Sequence, residues 1–282
     1  MMTFYEFATD LFDPLHAFWE RPKTRRVVAI SQVVAFVIGI IGIELNVRGL
    51  LPPLLARLTP TSHFYAISLA FTLVLIQEVV DLIFVLPCSM SKSLGKQFEV
   101  LCLILLRDAF KELTQLHEPI MLDDAIHILL PMLADGIGAL LIFAGLHLYY
   151  GRYRRRAKHP PTGQWLYPFV AFKKFLAFCL LLFFLSFGLW TGWHSATTGQ
   201  VFDFFSVFYT VLIFSDIFLV LLSHTYQAAF KTVFRNSGYA LATLLIRFAL
   251  AAPAYYAPLL GVSAMIFAYG VSLATDVFDT DF

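Results

Sequence analysis

Charged residues are scarce in this chain of 282 residues: they make up 14% of it, whereas 59% of its residues are hydrophobic. The mean hydropathy is +0.76. A soluble domain of this length could not bury that much apolar surface. Several apolar runs approach the roughly 20 residues that a helix needs to cross a bilayer. We therefore expect an all-α, polytopic transmembrane helical bundle embedded in the lipid bilayer.

Cysteine is also rare, and the spacing of Cys88, Cys102 and Cys179 fits neither a disulfide framework nor a metal site. The sequence contains no phosphate-binding glycine loop, nucleophile elbow or zinc motif. No motif therefore supports an enzymatic activity, although an intramembrane enzyme stays open, and we expect no resident cofactor and no nucleic-acid partner. A signal peptide is not expected either, because the first apolar span begins near Val27, after a polar and aromatic stretch.

Hydropathy and charge together divide the chain into about eight predicted spans. They are 27–47, 64–87, 97–113, 123–150, 167–190, 202–226, 239–253 and 257–275. The third and seventh are short and contain an arginine. The segment 239–275 also fits one long helix broken at Pro253 and Pro258, but an internal repeat favours a hairpin.

Basic residues are distributed unevenly about these spans. With the N-terminus in the cytoplasm, 13 of them fall on the cytoplasmic side and 3 on the other. This ratio fits the positive-inside rule and places both termini in the cytoplasm. Omitting the third span alone would move the basic segment 152–158 to the outside. Compactness and the missing signal peptide favour the inner membrane of a bacterium.

One charge pattern occurs twice. Glu78 is followed at 14, 18 and 29 residues by cations, and Asp216 is followed by cations at 15, 19 and 31 residues. These cations are Lys92, Lys96 and Arg107 in the first copy, and Lys231, Arg235 and Arg247 in the second. Because each half begins and ends on the same side, the copies predict two parallel four-helix repeats related by an axis along the membrane normal.

The repeat gives the expected domain organisation. Residues 1–26 form an amphipathic N-terminal helix at the membrane interface with a basic anchor, or a helix packed on the bundle or on a partner. Residues 27–150 form the first repeat. Residues 151–166 form a basic cytoplasmic linker, and 167–282 form the second repeat with an acidic tail. The basic run Arg152–Lys158 is either an anionic-lipid site or a topology anchor.

The repeated charges lie deep in the predicted membrane. At 1.5 Å per residue, Glu78 and Arg107 are each roughly 15 Å from the inner boundary, and Asp216 and Arg247 repeat that depth. Such pairs are either structural links between neighbouring helices or parts of a gate or charge relay. We expect Arg107 to be the counter-charge of the first half, and Asp216 with Arg247 to be its structural counterpart.

The first half has more buried acids than cations. Asp81 shares a helix face with Glu78, Asp135 lies near mid-depth in the fourth span, and Glu44 lies higher in the first span. Glu78, Asp81 and Asp135 against the single Arg107 leave excess negative charge, which requires protonation, a cation or a water-filled path. The alternatives are a polar cavity without flux or a surface that contacts another subunit.

Histidines offer weaker alternatives. His147 and His224 lie at similar depth near the inner ends of two spans and are candidate haem b ligands. His127 lies near the outer face, where it is a candidate proton entrance or, with Asp123, half of a metal site. A histidine satisfied at the membrane interface explains each of them as well.

These patterns predict a protein that conducts or transports protons or monovalent cations through Glu78, Asp81, Asp135 and Glu44. A second hypothesis is a non-catalytic subunit or assembly factor of a larger membrane complex, since no loop is long enough to form a domain. A third is a haem-bearing electron-transfer subunit. A homo-oligomer is compatible with each of them.

Overall fold

The computed structural model describes residues 2–52, 59, 61–112, 122–156, 166–198, 204–226 and 230–280. Within these ranges the chain forms nine α-helices and no strand. The helices are α1 (Met2–Trp19), α2 (Pro22–Val47), α3 (Phe64–Val85), α4 (Met90–Glu112), α5 (Leu122–Arg156), α6 (Leu166–Thr198), α7 (Phe204–Tyr226), α8 (Phe230–Ala251) and α9 (Tyr256–Thr280).

Six helices, α2, α3, α5, α6, α7 and α9, are long and apolar enough to cross a membrane. The helix α2 is the most exposed of them and buries Ile43 as its only fully buried side chain. Many large apolar side chains on these helices face outwards, which is the expected arrangement when lipid is the solvent. The expected class, an all-α integral membrane bundle, is therefore confirmed.

The helices α4 and α8 differ from these six because each carries several charges along its length. The helix α4 contacts α3, α5, α8 and α9, and α8 contacts α4, α7 and α9. The helix α8 also keeps an exposed apolar side, with Phe234 49% and Phe248 57% exposed. Both helices thus pack on several neighbours along part of their surface.

The first and second halves of the chain meet where α5 packs on α9. Gly138 permits this approach, because a Cβ atom at that position would overlap Cβ of Pro258 and lie 3.1 Å from its Cα. Near the C-terminal ends of the same two helices, Arg152 forms an ion pair with Asp276 at 2.9 Å. Small residues at such contacts let helix backbones come close together.

Two apolar cores fill the bundle. The first joins α1, α3, α4, α6 and α7, and the second joins α4, α5, α8 and α9. Since α4 contributes to both, it links the two cores. Phe208 and Ile83 are fully buried in the first core, and Phe98 and Tyr239 in the second.

The N-terminal helix α1 packs on one end of the bundle, and Pro14 lies inside it without ending it. Phe12 is 2% exposed and its ring lies 5.6 Å from that of Phe84 in α3. Asp13 forms an ion pair with Lys174 in α6 at 2.8 Å. The opposite side of α1 exposes Phe7 and Phe18. The helix therefore contacts the bundle on one side while its other side keeps an apolar surface.

We call the end of the bundle that carries α1 the α1 end, and the other end the far end. The end of α3, the start of α4 and the end of α5 lie at the α1 end, as contacts of α1 and α5 with these segments show. The start of α6 joins them, because Lys173 donates a hydrogen bond to the carbonyl oxygen of Cys88 at 3.0 Å.

Two turns at the far end depend on unusual backbone angles. At the end of α2, Gly49 has φ +70°, and the amide of Leu50 donates to the carbonyl of Leu45 at 3.0 Å. This is the hydrogen bond of a Schellman cap. Between α8 and α9 the chain turns at Pro253 and Tyr255, which has φ 74°. The segment 239–275 therefore contains parts of two helices rather than one.

Candidate functional site

Four charged side chains meet between α3 and α4 near the α1 end, and we call them the Lys96 cluster: Glu78, Asp81, Lys96 and Glu99. The Nζ atom of Lys96 lies 3.6 Å from Oε2 of Glu78 and 3.8 Å from Oδ2 of Asp81. It lies 3.2 Å from Oε2 of Glu99, three residues further along α4. One ammonium group is thus shared by three carboxylates.

Side chains from three other helices close the Lys96 cluster. Trp19 of α1 donates its indole N–H to Oδ1 of Asp81 at 2.5 Å. Tyr150 of α5 donates its hydroxyl to Oε1 of Glu99 at 2.6 Å. Arg25 of α2 lies 3.9 Å from Asp81, but its side chain is 55% exposed. The cluster therefore connects five helices. The longest of its outer contacts is that of the solvent-exposed Arg25 with Asp81.

Burial makes the Lys96 cluster chemically unusual. Glu78 is 8% exposed and Asp81 is 5% exposed. Oε2 of Glu78 is buried and has no hydrogen-bond donor within the described ranges. Carboxylates with incomplete hydrogen bonding in a poorly solvated site favour proton uptake or a cation. The cluster is therefore suited to exchanging a proton or a small cation.

Asp135 lies in a separate place. It is 2% exposed in α5, and its Oδ1 atom has no hydrogen-bond partner among the described residues. The charges that act on it come from Asp108 and Glu112, which are both acidic and lie near the end of α4. No described cation forms an ion pair with it. The structure therefore does not bring Asp135 into the Lys96 cluster.

Glu44 is also separate. It contacts Arg48 at 2.6 Å and His63 at 3.3 Å at the far end of α2, and its side chain is 42% exposed. Its pairing is that of an ordinary surface carboxylate. It does not meet Glu78, Asp81 or Asp135.

Arg107, which we expected to pair with Glu78, contacts its own neighbour instead. Its Nε and Nη2 atoms donate to Oδ1 of Asp108 at 3.1 and 2.6 Å. The counter-charge of Glu78 in the structure is Lys96. The two cations belong to the same helix α4, and it is the one nearer the α1 end that reaches the acids of α3.

Asp216 of α7 and Arg247 of α8 do meet, with Nη2 to Oδ2 at 3.5 Å. Their side chains are 9% and 1% exposed, so the pair is deeply buried. A cavity of about 10 Å³ beside Asp216 is lined also by Gln97 of α4. This space suits a single water molecule. The second half therefore has a balanced pair where the first half has an acid-rich cluster.

The histidines whose side chains the structure describes do not form a metal site with other residues. His127 and His147 are both exposed on α5. The side chain of His224, and that of Asp123, lie outside the described side chains. Within the described part of the chain, no group of three or more His, Cys, Asp or Glu residues is arranged to hold a metal ion.

Three features of the structure were not deduced from the sequence. Glu99 completes the Lys96 cluster, and its position three residues after Lys96 was the available signal. Lys173 is 2% exposed and lies 4.7 Å from the centroid of the Phe169 ring, so its charge is buried in the bundle. Trp19 could not have been assigned, because nothing in the sequence indicates which helix α1 contacts.

Comparison of the chain with protein-family models, with curated proteins and with solved structures finds no match.

Proposed function

We propose that this integral membrane protein moves protons or monovalent cations across the membrane, and that the Lys96 cluster is its exchange site. The observation that carries the proposal is the sharing of one partly buried ammonium group, 22% exposed, by three carboxylates, of which Glu78 and Asp81 are buried. A site that only linked helices would be expected to balance its charges, as Asp216 and Arg247 do. The excess acid is what a transported cation would neutralise.

The charge balance of the cluster supports this proposal. With Lys96 charged, three ionised acids would leave two negative charges, and Arg25 can offset one of them only through a contact of 3.9 Å in a side chain that is 55% exposed. Carboxylates that share a poorly solvated site cannot all ionise without cost, since like charges disfavour each other's ionised form. A proton or a cation at Glu78 or Asp81 relieves that repulsion.

Asp135 is the second station in this proposal. It is buried on α5, carries an unsatisfied carboxylate oxygen, and has acidic rather than basic neighbours. It lies nearer the far end than the Lys96 cluster does, because Asp108 and Glu112 belong to the end of α4. Glu44 and Arg107 are not assigned to the path, because their charges are paired with other neighbours.

The proposal includes eight membrane crossings in two parallel repeats. The packing supports this arrangement: α3 packs on α4 and α4 on α5, just as α7 packs on α8 and α8 on α9. In this arrangement α4 and α8 cross the membrane despite their charges, because they pack on several neighbours. The distribution of basic residues then places the α1 end and both termini in the cytoplasm, which we assign to a bacterial cell.

The test is ion flux into proteoliposomes that contain the purified protein. A pH-sensitive dye reports protons under an imposed potential, and replacing potassium by sodium or a large organic cation separates proton from metal-cation movement. We expect Glu78→Gln and Asp135→Asn to lower the flux at least tenfold. Glu44→Gln is the matched control and should leave it unchanged, since Glu44 is exposed and paired elsewhere. Absence of flux in the folded wild-type protein would contradict the proposal.

A second function, a subunit or assembly factor of a larger membrane complex, is favoured by α2. This helix buries only Ile43, so nearly its whole length is open to lipid or to a partner's helices. Folded protein that shows no flux alone, but is recovered from membranes with a fixed partner, would support this function over transport.

A further inference from the structure

A second polar site lies at the far end of the bundle, away from the Lys96 cluster. It is a cavity of about 440 Å³ enclosed by the starts of α3 and α7 and the ends of α4 and α8. Its polar lining comprises Ser68, Thr72, Arg107, Lys111, Ser206 and Tyr209. This volume lies within the range of pockets that hold small molecules.

The charges of this far-end cavity have one sign. Arg107 and Lys111 are four residues apart on α4, so they project from the same helix face. Among the residues that the structure describes, none that lines the cavity is acidic. Asp108 takes up two nitrogens of Arg107 from outside the cavity, but Nη1 has no acceptor within the described part of the chain. The cavity therefore selects a negatively charged group.

An apolar groove adjoins the far-end cavity. It has a volume of about 610 Å³, lies between α2 and α3, and is lined by residues such as Ile38, Gly39 and Leu69. Ser68 and Thr72 line both the cavity and the groove. A molecule with a charged head and an apolar tail can therefore occupy both spaces across one edge of α3.

We propose that the far-end cavity and the adjoining groove bind one anionic phospholipid. Its phosphate lies between Arg107 and Lys111, and an acyl chain lies in the groove between α2 and α3. Arginine suits phosphate because its planar group offers several parallel N–H donors. The groove favours a lipid over a free anion as the ligand. Burying the apolar surface of the groove contributes to the binding free energy only if the ligand has an apolar tail.

Lipid binding is measured with the purified full chain in a neutral detergent. The probes are short-chain phosphatidylglycerol, phosphatidylcholine of the same chain length, and inorganic phosphate, with native mass spectrometry as the readout. We expect phosphatidylglycerol to bind at least tenfold more tightly than phosphatidylcholine. Both lipids carry a phosphate, but only phosphatidylcholine also carries a trimethylammonium group, which Arg107 and Lys111 repel. Phosphate alone should not compete at millimolar concentration.

Three variants assign the binding to this site. Lys111→Gln should lower phosphatidylglycerol affinity several-fold and leave phosphatidylcholine unchanged. Gly39→Leu fills the groove and should weaken both lipids, because a Cβ at Gly39 already lies 3.4 Å from Cβ of Ala66. Arg48→Gln removes an exposed cation at the same end and is the control.

The results have clear meanings. Equal binding of the two lipids by the wild type, or unchanged selectivity in Lys111→Gln, would overturn the proposal. Competition by phosphate alone would replace the lipid with a soluble anion and would overturn it too. Circular dichroism confirms that each variant is folded, and Lys111→Gln alters an exposed side chain, so the test does not depend on a core substitution.

Discussion

Removing one member of the Asp216–Arg247 pair should destabilise the bundle strongly, whereas removing both should not. The two side chains are 9% and 1% exposed, and their closest atoms are 3.5 Å apart. With an effective dielectric constant of about 20, their attraction is about 5 kcal/mol at that distance. Loss of one partner leaves the other charged and buried, which costs about 3–5 kcal/mol.

The variants are Arg247→Met, Asp216→Asn and the double variant. We expect each single change to lower the free energy of unfolding by about 3–5 kcal/mol, and the double variant to lose much less than the sum. Unfolding is followed by circular dichroism as sodium dodecyl sulfate is titrated into neutral micelles.

The exposed pair of Glu44 and Arg48 is the matched control. Its atoms are closer, at 2.6 Å, but the side chains are 42% and 66% exposed. We expect Arg48→Met to lower the free energy of unfolding far less than Arg247→Met, because solvent screens exposed pairs. If Arg247→Met costs no more than Arg48→Met, or if the effects of Arg247→Met and Asp216→Asn simply add, burial does not set the strength of this interaction and the reasoning is refuted.

Two further changes test the packing. Gly138→Ala should destabilise the protein by about 1–3 kcal/mol, because the new methyl group would overlap Pro258 and push α5 away from α9. Gly136→Ala should be neutral, because nothing lies within 4 Å of its Cβ position. Equal melting temperatures for the two variants would contradict the close contact. Trp19→Phe should lower the free energy of unfolding by about 1.5–3 kcal/mol, because it removes the hydrogen bond to Asp81. It should also speed proteolysis within α1. Digestion at the wild-type rate would show that this hydrogen bond does not hold α1 against the bundle.

The class of fold followed from composition, because a chain this apolar has few alternatives in water. The partner of Asp216 was foreseen because the two residues lie at equal depth on consecutive predicted helices. The same depth calculation failed for Glu78. The predicted third span began at residue 97, whereas α4 begins at Met90, so Lys96 lies about 9 Å into a helix rather than at its boundary.

Other features depend on how each helix is rotated about its axis and on which helices it packs against. The depth of a residue in the membrane determines neither of these. Glu44 and Asp135 have acidic side chains in apolar helices, as Glu78 does, yet they face different neighbours. Which way each helix turns is decided by packing, such as the contact of Gly138 with Pro258. The docking of α1 on α3 and α6 likewise arises from shape and from contacts distant in sequence, including Trp19 with Asp81.

Whether α4 crosses the membrane is the most direct test of the whole arrangement. If α4 did not cross, its buried charges could be explained without any path for ions through the membrane. We would place single cysteines at Lys92 and at Glu112, near the two ends of α4, in a chain lacking its three native cysteines. Sealed vesicles of one orientation are then treated with a membrane-impermeant maleimide. We predict that only one of the two positions is labelled before the vesicles are opened, and both afterwards. Labelling of both positions from the same side would show that α4 does not span the membrane and would remove the basis for a pathway through it.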